Sequence, residues 1–346
     1  MSVLARGGAA VSSGLSTPRV LGPGLAGCAA VLLLATGCAL HVRRGLITEL
    51  RRAQEIAGAA QRAVLRPLPG RIDGLTLSAA QLSASRGAAV GGDLYEAVPT
   101  AYGVRVVIGD ARGHGLPALG AAAAVLGAFR EAAYDEPALG GVLVRMERAL
   151  ARHVRARAEE PAEEFVTVLL LQIGTDGSVT ALNCGHPWPY LLREPQPPRP
   201  CGATARHQPA SPACEARVRA EPGKRRSGGA REGSAQRVTH VQTLDGGETW
   251  PPLGVAPVPD GLAGEDCGQL QAGDALFLHT DGAEDARDRD GRFFPLRSVL
   301  AQHPPADTPA RLVADVHAAL LRHTGGRLAD DVALLVLRSD RGGPGR

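Results

Sequence analysis

The first long apolar run lies at residues 20–42, where no residue is formally charged apart from a protonatable His41. At roughly 1.5 Å per helical residue such a run crosses a hydrocarbon core of about 30 Å. Arg43, Arg44, Arg51 and Arg52 follow it, against Arg6 and Arg19 before it. That bias predicts a single-pass helix in the cell membrane with the C-terminal part in the cytoplasm. A cleaved signal peptide around Leu34-Ala35-Thr36-Gly37-Cys38 is the rival, and the arginines directly after the apolar run argue against export. From Leu46 to Leu65 apolar residues recur at helical spacing, and Pro67 and Pro69 end the pattern. This predicts a linker helix within residues 43–69, either an inert spacer or a surface through which two chains pair.

Beyond residue 70 the pattern changes to short strands and amphipathic helices. Leu75–Ser83 reads as a strand, and Leu94–Val98 with Val104–Gly109 flanks a polar turn as a hairpin. Leu116–Tyr134 and Ala138–Ala156 have helical patterns. Phe165–Ile173 and Ser178–Asn183 enclose Gly174-Thr175-Asp176-Gly177, a strong turn signal. Ala275–His279 reads as a strand, Arg311–His323 as a helix and Val332–Leu337 as a buried strand. Strands in antiparallel-compatible pairs with helices grouped between them predict an α+β fold.

Residues 194–236 break this alternation. The run is rich in Pro, Arg, Gly and Ser, and too poor in large apolar residues to offset its ordering entropy. It is expected to be a disordered insert between two strands, or a docking arm. Residues 194–237 carry nine Arg or Lys against four Glu, while the whole 346-residue chain has a net charge of only +3. No basic face with interleaved aromatics accompanies that charge, which excludes a nucleic-acid interface. The six cysteines form no CxxC pair and no zinc-ligand spacing, and read as free thiols.

The candidate chemistry is acidic. Asp93 ends Val90-Gly91-Gly92-Asp93, and Asp110 lies in Gly109-Asp110-Ala111-Arg112-Gly113-His114-Gly115. Asp281 lies in His279-Thr280-Asp281-Gly282, and Asp330-Asp331 opens the last strand. Any one Asp-Gly alone is a turn. Four acids beside four hydrophobic strands point further, because hard divalent cations take carboxylate oxygens and neighbouring glycines allow close approach.

These blocks, in order along residues 70–340 with the insert unmatched, resemble the metal-dependent PPM phosphatases (protein phosphatase 2C-like), in the bacterial SpoIIE-type branch. The resemblance implies an α-β-β-α sandwich of two antiparallel sheets, preceded here by the transmembrane and linker helices. It implies two divalent cations, Mn or Mg, with Asp110 bridging both and the Ala111 carbonyl a further ligand. Asp93 would serve one ion directly or through water, and Asp281 and Asp330 would hold the other. Catalysis would rest on Asp110 and Asp93 through a metal-activated water. The implied substrate is phosphoserine or phosphothreonine on a regulatory protein, of the STAS-domain anti-sigma-antagonist type. A membrane-bound pseudophosphatase that only captures phosphoproteins is the alternative, and a small-molecule phosphohydrolase a third. His114, His186 and His279 read chiefly as structural, Cys184 as core, and Arg112 as either a phosphate contact or a solvated loop arginine. Two departures stand out: Ala333 occupies a position where the family usually has threonine, and Asp285 one where glutamate is common.

Overall fold

A computed structural model describes residues 21–82, 91–157, 164–193, 239–244, 246–259, 261–303 and 308–341. The insert expected at 194–236 lies outside the described residues, as do both terminal tails and Ser83. Helix α1 (Leu21–Val64) runs through the apolar and linker stretches without a break. It is followed by β1 (Arg71–Ile72), β2 (Leu75–Leu82), β3 (Asp93–Thr100), β4 (Gly103–Ala111), α2 (Leu116–Asp135) and α3 (Leu139–Ala156). Next come β5 (Val166–Ile173), β6 (Ser178–Cys184), β7 (Tyr190–Arg193), β8 (His240–Thr243), β9 (Thr249–Trp250) and β10 (Glu265–Gln269). The chain ends with β11 (Ala275–His279), a 3-10 turn at Asp281–Ala283, α4 (Leu296–Ala301), α5 (Pro309–His323) and β12 (Val332–Ser339).

The molecule divides into two compact units, Met1–Glu55 and Ile56–Arg346. In the first, Gly27–Arg52 is long and apolar enough to span a bilayer, with Leu32, Leu33 and Leu34 exposed along it. α2 passes the same test of length and composition, but half of it is buried in the second unit.

That second unit is a four-layer sandwich. One sheet has the order β1-β2-β12-β11-β7-β8 and the other β10-β6-β5-β4-β3. The pairings are antiparallel with one exception: β9 lies parallel to β6. The expected sandwich of two antiparallel sheets is thus observed, and the short β9 joins β6 from outside the main strand order, after the chain crosses from one sheet to the other between β8 and β9. β4 and β5 have few polar positions because both faces are covered. Val106 and Ile108 of β4 point into the layer between the sheets with Leu169, Leu171, Leu276 and Leu335. Val107, one residue out of phase, packs on α2 and α3 with Leu126, Phe129 and Leu143. On the far side Phe277, Leu334 and Val336 pack against Leu312, Val316 and Leu320 of α5. Five strands escaped the pattern reading (β1, β7, β8, β9, β10), as did α4, all too short to show a period. β7 and β8 pair with Arg193 opposite His240, so the chain around the insert leaves and returns at one point.

Arg105 is fully buried in β4. Its guanidinium donates to the Ala133 carbonyl at 2.9 Å and the Pro137 carbonyl at 2.7 Å, and to Gln172 Oε1 at 2.8 and 3.0 Å. It also reaches the Glu136 carbonyl, so one side chain ties the α2–α3 corner to the sheet. Arg105→Ala strands those carbonyls without donors and is expected to cost about 3 kcal/mol or more, measured by urea unfolding of the full chain.

Candidate metal centre

β3 and β4 pair with Asp93 directly opposite Asp110, at the beginning of one strand and near the end of the other. β11 and β12 pair with His279 opposite Leu334, so Asp281, just past β11, meets Asp330 and Asp331, just before β12. Each sheet therefore delivers its acids at the same edge. Asp93 is 2% exposed and Asp331 8%, while Asp281 and Asp330 stand open to solvent.

The electrostatics report how close they come. Burial pushes Asp110 up to about 8, with further push from the charges of Asp281, Asp330 and Asp331. Asp93 is held well above the carboxylate range by burial, then by Asp110 and Asp331, against a lowering hydrogen bond from the Thr280 side chain. Asp281, at the exposed rim, is raised by desolvation of its inward-facing part and then by Asp330. All four predicted acids thus share one field, together with Asp331.

A hard cation suits this arrangement on three counts. Asp93 Oδ2 is buried with no hydrogen-bond partner. The donors are carboxylates and a backbone carbonyl, the oxygen set that Mg and Mn prefer. The third count is backbone clearance. A Cβ at Gly92 would sit 2.8 Å from Asp110 Oδ1 and collide with the Ala111 carbonyl, and one at Gly91 would strike the Asp331 carboxylate. Among the described residues no three His, Cys, Asp or Glu side chains are gathered tightly enough to hold an ion as they stand.

The remaining predicted residues fall around this edge. His186 is buried and neutral, its pKa lowered to about 3 by burial and then by His279. His279 is buried, stacks on Tyr190 at 5.7 Å and touches the Thr280 carbonyl through Nδ1 at 3.1 Å. Cys184 lies in the core, its thiol pushed up to about 12 by burial. Cys28, Cys38, Cys184 and Cys267 are free thiols among the described residues. His114 is exposed, and Arg112 lies over the Phe165 ring at 5.1 Å. The two departures are absorbed without loss of an acid. The Ala333 backbone N–H donates to Thr280 Oγ1 at 2.9 Å, and the charge of Asp285 adds to the field at Asp281. Sequence reasoning missed Asp331 and Thr280. The doubled aspartate was the available signal for the first; nothing local marked the second.

A sequence profile of the family described as Stage II sporulation protein E (SpoIIE) matches residues 100–214 and 233–340. The chain belongs to the SpoIIE family. It is thereby one of the PP2C-type, metal-dependent serine/threonine phosphatases. The profile leaves only 215–232 unmatched within its span, a narrower gap than the expected 194–236, and it begins after Asp93. No curated protein matches the chain in sequence. Among solved structures, the SiaA-PP2C domain of Pseudomonas aeruginosa is similar in fold, with a TM-score of 0.55 at 16% identity. That match covers 86% of this chain and 98% of the other. The PP2C phosphatase domain of SpoIIE from Bacillus subtilis, with a fragment of its regulatory domain, gives a TM-score of 0.51 at 15% identity. It covers 78% of this SpoIIE-family chain and 64% of the other.

A carboxyl whose pKa is higher in the folded state binds a proton that the unfolded chain releases. With Asp110 raised from 3.8 to about 8, the metal-free fold is stable below the lower value and loses that stability as pH climbs to the upper. The chelated protein is therefore expected to melt at a higher temperature at pH 5.5 than at pH 8. Asp110→Asn should shrink that difference by raising the pH 8 value. Scanning calorimetry in EDTA checks both.

Proposed function

We propose that this SpoIIE-family chain hydrolyses phosphoserine or phosphothreonine on a partner protein with two divalent cations, Mn or Mg. One observation carries the reading: Asp93 and Asp110 from one sheet meet Asp281 and Asp330 from the other at a single edge. Asp110 would serve both ions, with the Ala111 carbonyl as a further ligand; Asp93 would serve one ion, directly or through water, and Asp281 and Asp330 the other. When bound, such a pair lowers the pKa of a water and offsets charge on the phosphoryl oxygens. The chain's own part is to hold its carboxyl groups converging, where a bound cation would favour their ionised form, and to keep that edge open to a protein-borne phosphate. Asp331, buried beside Asp93, adds a negative charge that strengthens the site's hold on cations.

The partner, on this reading, is a phosphorylated anti-sigma-antagonist type regulator, supported by membership of the SpoIIE family. The domain plan is a membrane helix at 20–42, a linker helix at 43–69 that could pair two chains, and a cytoplasmic phosphatase domain at 70–340. The run of Arg43, Arg44, Arg51 and Arg52 supports the orientation.

The full chain in detergent is expected to release phosphate from a phosphoserine peptide only when Mn or Mg is present. Asp110→Asn should lower that rate by about 100-fold or more, as loss of a central charge-stabilising group does. Unchanged turnover in the variant would reject the mechanism, and cation binding without turnover would favour the pseudophosphatase. Faster release from nucleotides than from the peptide would favour a small-molecule substrate.

A further inference from the structure

Behind Asp110 lies a chain of polar groups that the ligand set does not include. Thr167 on β5 sits directly opposite Asp110 on β4. Its hydroxyl contacts Asp110 on both backbone groups, 3.3 Å from the N–H and 3.4 Å from the carbonyl oxygen. The same hydroxyl is 3.1 Å from His186 Nδ1. His186 is in turn fixed through its backbone by Asn183, whose Oδ1 accepts its N–H at 2.9 Å and whose Nδ2 donates to its carbonyl at 2.8 Å. Asn183 is fully buried and His186 4% exposed. With Nδ1 protonated, the hydroxyl accepts from Asp110 N–H and from His186, and donates to the Asp110 carbonyl, which uses its full capacity.

We infer that Thr167, His186 and Asn183 are positioning residues that fix where the Asp110 carboxylate stands, and through it the affinity of the cation pair; this rests on the reading proposed above. The physical need is local. Past Asp110 the ladder runs on in the same register for only one bond more on each side, Ala111 N–H donating to the Gly92 carbonyl at 3.1 Å and Arg112 N–H to the Phe165 carbonyl at 3.0 Å. Asp110 therefore sits one residue from the end of β4, beside like charges. A half-buried hydroxyl bonded to both of its backbone groups resists displacement there, and the imidazole, braced by the asparagine, stops the hydroxyl from rotating away. Groups that hold a ligand in place in this way alter metal affinity about 10–100-fold when removed.

Mn(II) binding to the full chain in detergent, followed by electron paramagnetic resonance of the free ion, tests this alongside melting in EDTA. Thr167→Val and His186→Leu should each weaken Mn(II) binding about tenfold or more. Thr167→Ser, which keeps the hydroxyl, should bind as wild type. The Thr167→Val/His186→Leu double variant should be no weaker than the worse single one, because both break the same chain. Wild-type affinity in either single variant overturns the inference, as do fully additive losses. Should Thr167→Val fail to melt cooperatively, His186→Leu against wild type decides by the same criterion. If the wild type itself binds no Mn(II), the metal centre falls, and that outcome is distinct from a wild type that binds and a variant that does not differ.

Discussion

Everything at the functional edge follows from the cost of gathering like charges. Asp93, Asp110, Asp281, Asp330 and Asp331 meet there, and no described lysine or arginine appears among the causes of the shifts at Asp93, Asp110 and Asp281. A surface cluster of this kind would spread apart. Here it is anchored, because each acid sits at the end of a strand whose body is locked in the core. Leu169, Leu276 and Leu335 between the sheets are fully buried, as are Val106 and Ile108. Each fully buried side chain of this size contributes about 1.5–3 kcal/mol, enough in sum to hold an edge that electrostatics alone would open.

The two sheets divide the task. One contributes the half-buried Asp110 and the buried Asp93 from a single hairpin, so their relation is set by strand register. The other contributes Asp281 and the Asp330-Asp331 pair from β11 and β12, whose register is set in the same way. What joins the halves is the spacing of the inter-sheet core, with Thr280 acting across it. Its hydroxyl accepts from Ala333 and hydrogen-bonds toward Asp93, so one side chain belongs to both sides. An alanine at position 333 is consistent with this, since its backbone is already met by Thr280.

Glycine has a specific part at this edge. Gly91, Gly92 and Gly282 each lie where a Cβ would overlap an aspartate or its neighbour's carbonyl. Glycine loses more backbone freedom on folding than other residues, a cost offset here by the close approach of backbone to carboxylate that it permits. The helix ahead of the sandwich obeys different rules: its exposed surface is apolar from Val31 to Val42, apart from Thr36 and His41, and is followed directly by Arg43 and Arg44.

Much was legible from residue order alone. Long strands buried on both faces, their hairpin turns and the principal helices declared themselves by period, and the acids by their place beside those strands. The same order could not say which acids converge, because convergence depends on which strands become neighbours across two sheets. Asp331 shows the difference. Adjacent to Asp330 and chemically identical, it is buried as the chain enters β12, close enough to Asp93 to act on its charge, while Asp330 stays at the surface. Thr167 and His186 carry no local signal either; only the register of β4 against β5 puts the hydroxyl opposite Asp110. The sequence by itself determined the elements and the chemical class of the site. Tertiary structure alone decided its membership, because side chains separated by up to hundreds of residues can share a field only after the sheets have closed.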